Sequence, residues 1–403
     1  MGLTSNKVLA LAVMFAAALF VVTVWLWPRL ARQSWRAVSG RVGLLLATQL
    51  ALFTSLGIAA NQAFGFYASW ADLFGQETDQ GVVINHTANS GTGGPLQVLS
   101  TSLVQGVKGS RPQTAGQVQK VDIVGRKTHI ATPAYVYLPP EYFQPQYRTR
   151  TFPAAVVLTG YPGTAQALVD KLHYPRTAQE LAKDGRMQPM ILVMLRPTVA
   201  PPRDTECVDV PGGPQAETFF AKDLPEAVLA HYRVGKRPGS WGIVGDSTGG
   251  YCALKLAMHN PGVYAAAAGL SPYYKAPIDP TTGDLFQGDR NLQNRADLWW
   301  LLKHEPAPDT SLLVTSSRIG EHNYKDTLKF IEGVQATNLT RISSIILDSG
   351  GHNFNTWRRE IPPTLQWLSG RGSAPRAPGA PSRGKPPGWR GFFGAGGPAS
   401  PTR

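Results

Sequence analysis

Cysteine is scarce in this chain: Cys207 and Cys252 are the only two among 403 residues. They are too far apart for a CxxC pair, so a cysteine-based zinc or dithiol redox centre is excluded. One disulfide in an exported domain, or two buried free thiols, both remain open. The phosphate-cradling spacing GxxxxGK[ST] is missing, which argues against a nucleotide-binding P-loop. Helix-turn-helix, zinc-finger and RNA-binding aromatic motifs are missing too. The net charge of +13 is therefore no nucleic-acid footprint. Acidic residues are absent after Gly370, where Arg371, Arg376, Arg383, Lys385, Arg390 and Arg403 accumulate among Pro, Gly and Ala. Such a segment has too little apolar surface to offset the entropy of ordering, and residues 371–403 read as a disordered basic tail. A second basic group, Arg29, Arg32, Arg36 and Arg41, separates two apolar runs. Without these two groups the remainder is much closer to neutral.

The apolar runs cover about 8–27 and 42–66. A helix needs ~20 apolar residues to cross a bilayer. The first run ends in Trp25, Leu26, Trp27 and then arginines, rather than at a cleavage site, so it reads as a span and not a signal peptide. The second, less apolar run reads as a second span. Positive loops stay in the cytoplasm, so the arginine loop lies inside and both the N-terminus and everything after Tyr67 lie outside. Tyr67 and Trp70 then sit at the outer interface. This predicts a membrane anchor over 1–70, a polar linker over 71–117, a folded domain over 118–370 and the tail over 371–403. The cytoplasmic membrane is the expected partner, with the folded domain extracytoplasmic.

Within 118–370 the apolar alternation of Gln119–Thr128 and Tyr135–Pro139 reads as an entry hairpin. Short apolar runs of strand length follow at Ala154–Leu158, Met190–Leu195, Trp241–Val244, Ala265–Leu270, Leu312–Thr315 and Ile342–Leu347. Helical patterns separate most of them, including Ala178–Lys183, Phe219–His231, Gly250–His259 and Tyr324–Val334. Such alternation predicts an α/β fold: a mostly parallel sheet with helices on both faces, preceded by the two transmembrane helices.

The sharpest motif is Gly245-Asp246-Ser247-Thr248-Gly249, a G-x-S-x-G sequence between an apolar strand and an amphipathic helix. That context is what a nucleophile elbow requires, and it makes Ser247 the candidate nucleophile. A hydroxyl attacks only when a base takes its proton. Of the 8 histidines, His352 alone follows the last strand through a Gly-Gly turn, at the same sheet edge as the elbow. An acid is needed to orient the imidazole. Glu321, after the penultimate strand, is the candidate. Asp326 is the alternative, placed where the next helix begins, while Asp297 and Asp309 precede the strand. Asp246 adjoins the nucleophile and points the wrong way for this role. The order Ser, acid, His is that of the α/β-hydrolases. An oxyanion hole needs two preorganised N–H donors. The backbone of Thr248 supplies one, and Tyr161, in the loop of "AAVVLTGYPGT", is the candidate for the other; that loop reads equally as a plain strand-end turn.

The elbow, the loop after Leu158, the acid segment, "SGGHNFNTW" and "ETFFAKDLPEAV" together resemble the esterase D and antigen 85 (mycolyltransferase) family of α/β-hydrolases, over roughly 118–368. In mycolyltransferases the acid is a glutamate about thirty residues before the histidine, an arrangement matched by Glu321 and His352. Tyr161 falls where the family places its second oxyanion donor. The sugar-binding members carry an Asp-Gly-Leu-Arg type sequence at the oxyanion loop, where this chain has Thr159-Gly160-Tyr161-Pro162, so the resemblance does not extend to a trehalose grip. Two N-terminal spans are similar to the membrane-tethered actinobacterial esterases of the family. The implied activity is a serine esterase or O-acyltransferase acting on an acyl ester, with water or an acceptor hydroxyl as second substrate and neither cofactor nor metal. The competing readings are a non-catalytic envelope protein that keeps the fold, and a serine peptidase of the same fold.

Overall fold

The computed structural model describes residues 6–31, 34–64, 94–201 and 203–371. Tyr67 and Trp70, expected at an outer interface, fall with the rest of 65–93 outside the described residues, as does the basic segment 372–403.

The two apolar runs are helices, α1 (Asn6–Leu30) and α2 (Trp35–Phe64). At 1.5 Å per residue each exceeds the ~30 Å hydrocarbon thickness of a bilayer. They pack on each other, and Thr23 of α1 and Thr48 of α2 share a hydrogen bond of 3.0 Å across the contact, while Ser55 Oγ donates back to the Ala51 carbonyl within α2. Phe15, Phe20, Trp25, Leu50 and Phe53 point outward and are largely exposed. By length and composition both helices qualify as candidate membrane spans.

The domain is built on one nine-stranded sheet of order β1-β2-β3-β5-β4-β6-β7-β8-β9. Its strands are β1 (Leu96–Leu103), β2 (Gln117–Val124), β3 (Ala131–Leu138), β4 (Ala154–Leu158), β5 (Ile191–Leu195), β6 (Trp241–Asp246), β7 (Ala266–Leu270), β8 (Ser311–Ile319) and β9 (Arg341–Ser349). From β5 through β9 neighbouring strands are parallel, while β1, β2 and β3 pair antiparallel at one edge. The parallel centre follows from composition: β4 (AAVVL) and β5 (ILVML) are buried at every residue, as strands covered on both faces must be. Successive residues alternate faces, so Val156 and Ile243 join one core, with Phe219, Tyr251 and Leu254, while Val157 and Val244 join the other, with Tyr174, Trp357 and Leu365.

The helices that matter below are α3 (Ala165–Asp170), α4 (Tyr174–Lys183), α5 (Leu224–His231), α6 (Thr248–His259), α7 (Arg290–Arg295), α8 (Leu298–His304), α9 (Tyr324–Gln335) and α10 (Phe354–Arg371). The sequence pattern places a single helix over Phe219–His231. Instead a wide π turn, Phe219–Asp223, precedes α5. Pro225, at the start of α5, has no N–H to continue a regular ladder.

One boundary is corrected. The reading of 71–117 as a polar linker fails over Leu96–Leu103, which pairs with β2 as the edge strand β1. Only Leu96 is buried there, and the Ser and Thr residues face solvent, so the strand lacks the apolar density that marks the central ones.

Candidate active site

Ser247 stands between β6 and α6 with φ 54° and ψ −121°. A non-glycine residue in this region is strained, and such strain persists only where surrounding structure enforces it. Here the enforcement comes from backbone crowding. A Cβ at Gly245 would lie 2.3 Å from the Gly249 carbonyl carbon, and one at Gly249 would lie 2.4 Å from the Thr159 oxygen. Both glycines of the motif are therefore required for α6 to approach β4. Ser247 N–H donates to the Leu270 oxygen at 2.9 Å, tying the elbow to β7, and the Ser247 carbonyl accepts the first helical bond from Tyr251.

His352 follows β9 through Gly350 and Gly351, and its Nε2 lies 2.8 Å from Ser247 Oγ. Space beside the first of these glycines is tight, since a Cβ at Gly350 would be 2.5 Å from Ser317 Oγ and 2.8 Å from Arg359 Nη2. Trp357, on the first turn of α10, packs edge-on against the imidazole with ring centroids 5.1 Å apart. The protein around His352 strips away solvent and lowers its pKa below the ordinary histidine value, although part of the ring remains exposed. A neutral imidazole is the form that accepts a proton.

Glu321 lies beyond the end of β8, half-buried. Ser271 Oγ donates to one carboxylate oxygen and Ser317 N–H donates to the other at 2.8 Å. Burial raises its pKa, against these bonds. Among the described residues no hydrogen bond joins Glu321 to His352. The two are linked indirectly, because Trp357 Nε1 donates to the same Ser271 Oγ at 3.0 Å. The alternative acids are engaged elsewhere. Asp297 caps α8 through the N–H groups of Trp299 and Trp300, Asp309 pairs with Arg341 at 2.8 Å, and Asp326 is in the first turn of α9.

Thr248 is the first residue of α6, and its N–H is one of the donors a helix start leaves without an intrahelical acceptor. Tyr161 sits in the loop after β4, and the Tyr161–Pro162 peptide is cis. That loop borders a solvent-open depression of about 470 Å³ containing Ser247 and His352. Its apolar wall is formed by Pro162, Ala167, Leu168, Leu172, Phe354 and Trp357.

Four participants escaped the sequence reading as site residues: Asp246, Ser271, Trp357 and Glu360. Asp246 indeed does not face His352; its Oδ2 accepts the Gly160 N–H at 2.9 Å. Ser271 adopts φ 47° at the end of β7 and donates its N–H to Thr315 Oγ1, which in turn donates to the buried Glu360 at 2.8 Å. The only available signal was position: Asp246 and Ser271 stand at strand ends, and Trp357 and Glu360 lie on the helix that follows His352.

Cys207 and Cys252 form a disulfide, Cα atoms 5.7 Å apart, which resolves the open cysteine question. It staples the segment after β5 to α6, five residues beyond Ser247. Beside it Lys255 donates to the Cys207 carbonyl and pairs with Glu217 at 3.0 Å, while His259 contacts the other Glu217 oxygen at 2.9 Å. Burial alone would raise the Glu217 pKa, but Lys255 and His259 more than offset it and hold the carboxylate well below the usual range.

Comparison with known proteins agrees with this architecture. An uncharacterized protein of Corynebacterium glutamicum is 24% identical over 249 residues, covering 60% of this chain and 58% of its own length. The diacylglycerol acyltransferase/mycolyltransferase Ag85A of Mycobacterium ulcerans is 28% identical over 174 residues, 38% of this chain and 50% of that protein. The chain thus spans little more than half the length of these curated relatives. Among solved structures, an S-formylglutathione hydrolase from Agrobacterium tumefaciens superposes with TM-score 0.54 at 18% identity, over 68% of this chain and 99% of that one. A ferulic acid esterase superposes with TM-score 0.55 at 16% identity, over 64% and 98%. At these identities the superpositions establish the α/β-hydrolase fold. The esterase family model matches residues 126–368, from the turn before β3 into α10, and the chain belongs to that family.

Proposed function

We propose that this protein is a membrane-anchored serine esterase or O-acyltransferase whose catalytic domain faces the extracytoplasmic side. The observation that carries the reading is the 2.8 Å approach of His352 Nε2 to the strained Ser247 hydroxyl. In the proposed reaction Ser247 Oγ attacks the ester carbonyl carbon while its proton passes to His352 Nε2. The N–H groups of Thr248 and Tyr161 receive the oxyanion as preorganised donors that need no reorganisation as the charge develops. The tetrahedral species then breaks its bond to the leaving alcohol, which takes the proton back from His352. Water or an acceptor hydroxyl repeats the sequence in reverse and releases the acyl group from Ser247.

Glu321 supplies the negative charge that stabilises the imidazolium. Catalytic hydrogen bonds often tighten only in the substrate complex, and the Glu321–His352 contact forms there, with Ser271 and Ser317 holding the carboxylate meanwhile. Similarity to a protein named as a mycolyltransferase supports an acceptor hydroxyl, and hence envelope lipids or glycolipids as substrates. Two apolar helices joined by an arginine-bearing loop support the anchor and its orientation. The disulfide supports an oxidising compartment.

Turnover of p-nitrophenyl esters by the detergent-solubilised full chain tests the reading. Wild type turns over, and Ser247→Ala and His352→Ala each lose at least about 10³-fold in kcat. Retained activity in Ser247→Ala would refute the assignment. Protease treatment of intact spheroplasts tests the orientation, with the domain digested if it is outside.

A further inference from the structure

Asp246 occupies the variable position just before the nucleophile and is 2% exposed. Burying a carboxylate is costly, and an apolar side chain would fill this place at no such penalty. Its burial pushes its pKa up to about 7, against the hydrogen bond it receives from Gly160. Retention of a polar group against the packing rules marks positions under functional constraint.

What this carboxylate holds is the loop after β4. Gly160 packs so closely on the elbow that a Cβ there would lie 3.0 Å from Ser247 Cβ and 3.2 Å from Asp246 Oδ2. The Gly160 carbonyl accepts from Thr159 Oγ1 and from Gly163 N–H, each at 2.8 Å. That carbonyl belongs to the same planar peptide as the Tyr161 N–H, so these two bonds fix the direction in which the N–H points. They are internal to the loop, however, and say nothing about its distance from Ser247. The Gly160 N–H to Asp246 Oδ2 bond, at 2.9 Å, ties the loop to the elbow just beyond the last ladder pair of β4 and β6, Leu158 with Gly245, across 86 residues of chain.

We propose that Asp246 is a positioning residue that sets the separation between the two oxyanion donors, by clamping Gly160 so that the Tyr161 N–H faces the same point as the Thr248 N–H. This rests on the acyl-enzyme reading above. The side chain touches no reacting atom; it acts through the loop.

The experiment compares Asp246→Leu, which removes the acceptor, with Asp246→Asn, whose amide oxygen can accept the same bond. Active sites are titrated with a fluorophosphonate so that rates refer to competent enzyme. Hydrolysis of p-nitrophenyl acetate and of its thionoester analogue is then measured. Asp246→Leu lowers kcat about 10- to 100-fold with KM within about threefold, the size expected for a misplaced oxyanion donor. Its preference for the oxygen ester over the thionoester, which reports contact with the oxyanion, falls by about tenfold. Asp246→Asn restores both to within about threefold of wild type. If the leucine variant does not fold, Asp246→Ala replaces it with the same expectations. Normal kcat and normal oxygen preference in a folded acceptor-less variant overturn the proposal while leaving the esterase reading intact. A wild-type enzyme with no ester turnover overturns both.

Discussion

Breaking the Cys207–Cys252 bond is the perturbation whose consequence is most directly worked from the structure. The bond closes a loop of 45 residues. In the chain-entropy description a cross-link over that length removes about 13 cal/mol/K from the unfolded ensemble, or about 4 kcal/mol at 25 °C. The described domain has ~280 residues and an unfolding entropy near 0.6 kcal/mol/K, so the loss corresponds to a Tm decrease of about 7 °C. The loosened segment carries Glu206, whose carboxylate accepts from the Tyr273 hydroxyl at 2.6 and 2.7 Å, so the far wall of the elbow helix relaxes with it. The assay is differential scanning fluorimetry of the full chain in detergent, with and without reductant, beside a Cys207→Ala/Cys252→Ala variant. Alkylation of the denatured, unreduced protein purified from its native host counts free thiols. No free thiol and a fall of several degrees on reduction are expected. Two alkylated thiols in the native protein, or a Tm unchanged within about 1 °C, would refute this expectation and remove the support the disulfide gives to an extracytoplasmic domain.

Other predictions follow from the elbow and the buried acids. Gly249→Ala places a methyl 2.4 Å from the Thr159 oxygen and 2.5 Å from the Leu158 oxygen, both backbone atoms. Overpacking of this kind costs roughly 1–3 kcal/mol or more, so a Tm drop with loss of kcat is expected by fluorimetry and ester assay. In the proposed reaction His352 must be neutral to accept the Ser247 proton, and loss of solvent lowers its pKa, so kcat/KM is expected to rise with pH through an inflection below 6.5. An inflection above 7 would contradict that environment. Glu360 is fully buried and its pKa is pushed up to about 8 by burial, so the folded state holds a proton that the unfolded chain releases near 4.5. A raised carboxyl pKa makes stability fall as pH increases from about 4.5 to 8, by on the order of a few kcal/mol. Glu360→Gln should flatten that slope in Tm measured from pH 5 to 9.

Much of the fold was legible because its signals are local. The continuous apolar runs of β4 and β5 need no partner to be recognised, and the elbow is written in five consecutive residues. Ser247 and His352 could be paired because each stands at a strand end in the family's order, and the structure brings them to 2.8 Å. What escaped depends on contacts between distant segments or on weak patterning. Strand β1 sets Leu96, Val98, Leu99 and Leu103 beside Gln97 and a Ser-Thr-Ser run, a mixture with neither a clean alternation nor a continuous apolar stretch, so its pairing with β2 left little pattern to read. The disulfide required the segment after β5 to fold back on α6, which no spacing rule reveals. Asp246 was read only for what it does not do, because its partner Gly160 is 86 residues away. Glu321 was placed by order along the chain, but its engagement by Ser271 and Ser317 depends on how β7 and β8 end. Those ends are set by tertiary crowding.

The central claim is that Ser247 is a nucleophile activated by His352. It is tested most directly by reacting the full chain with a fluorophosphonate and locating the adduct by peptide mass spectrometry. A single adduct is expected on the peptide containing Ser247, absent in Ser247→Ala and formed at least about 10³-fold more slowly in His352→Ala. No adduct on the folded wild-type protein, or a label on another residue that persists in Ser247→Ala, would contradict it.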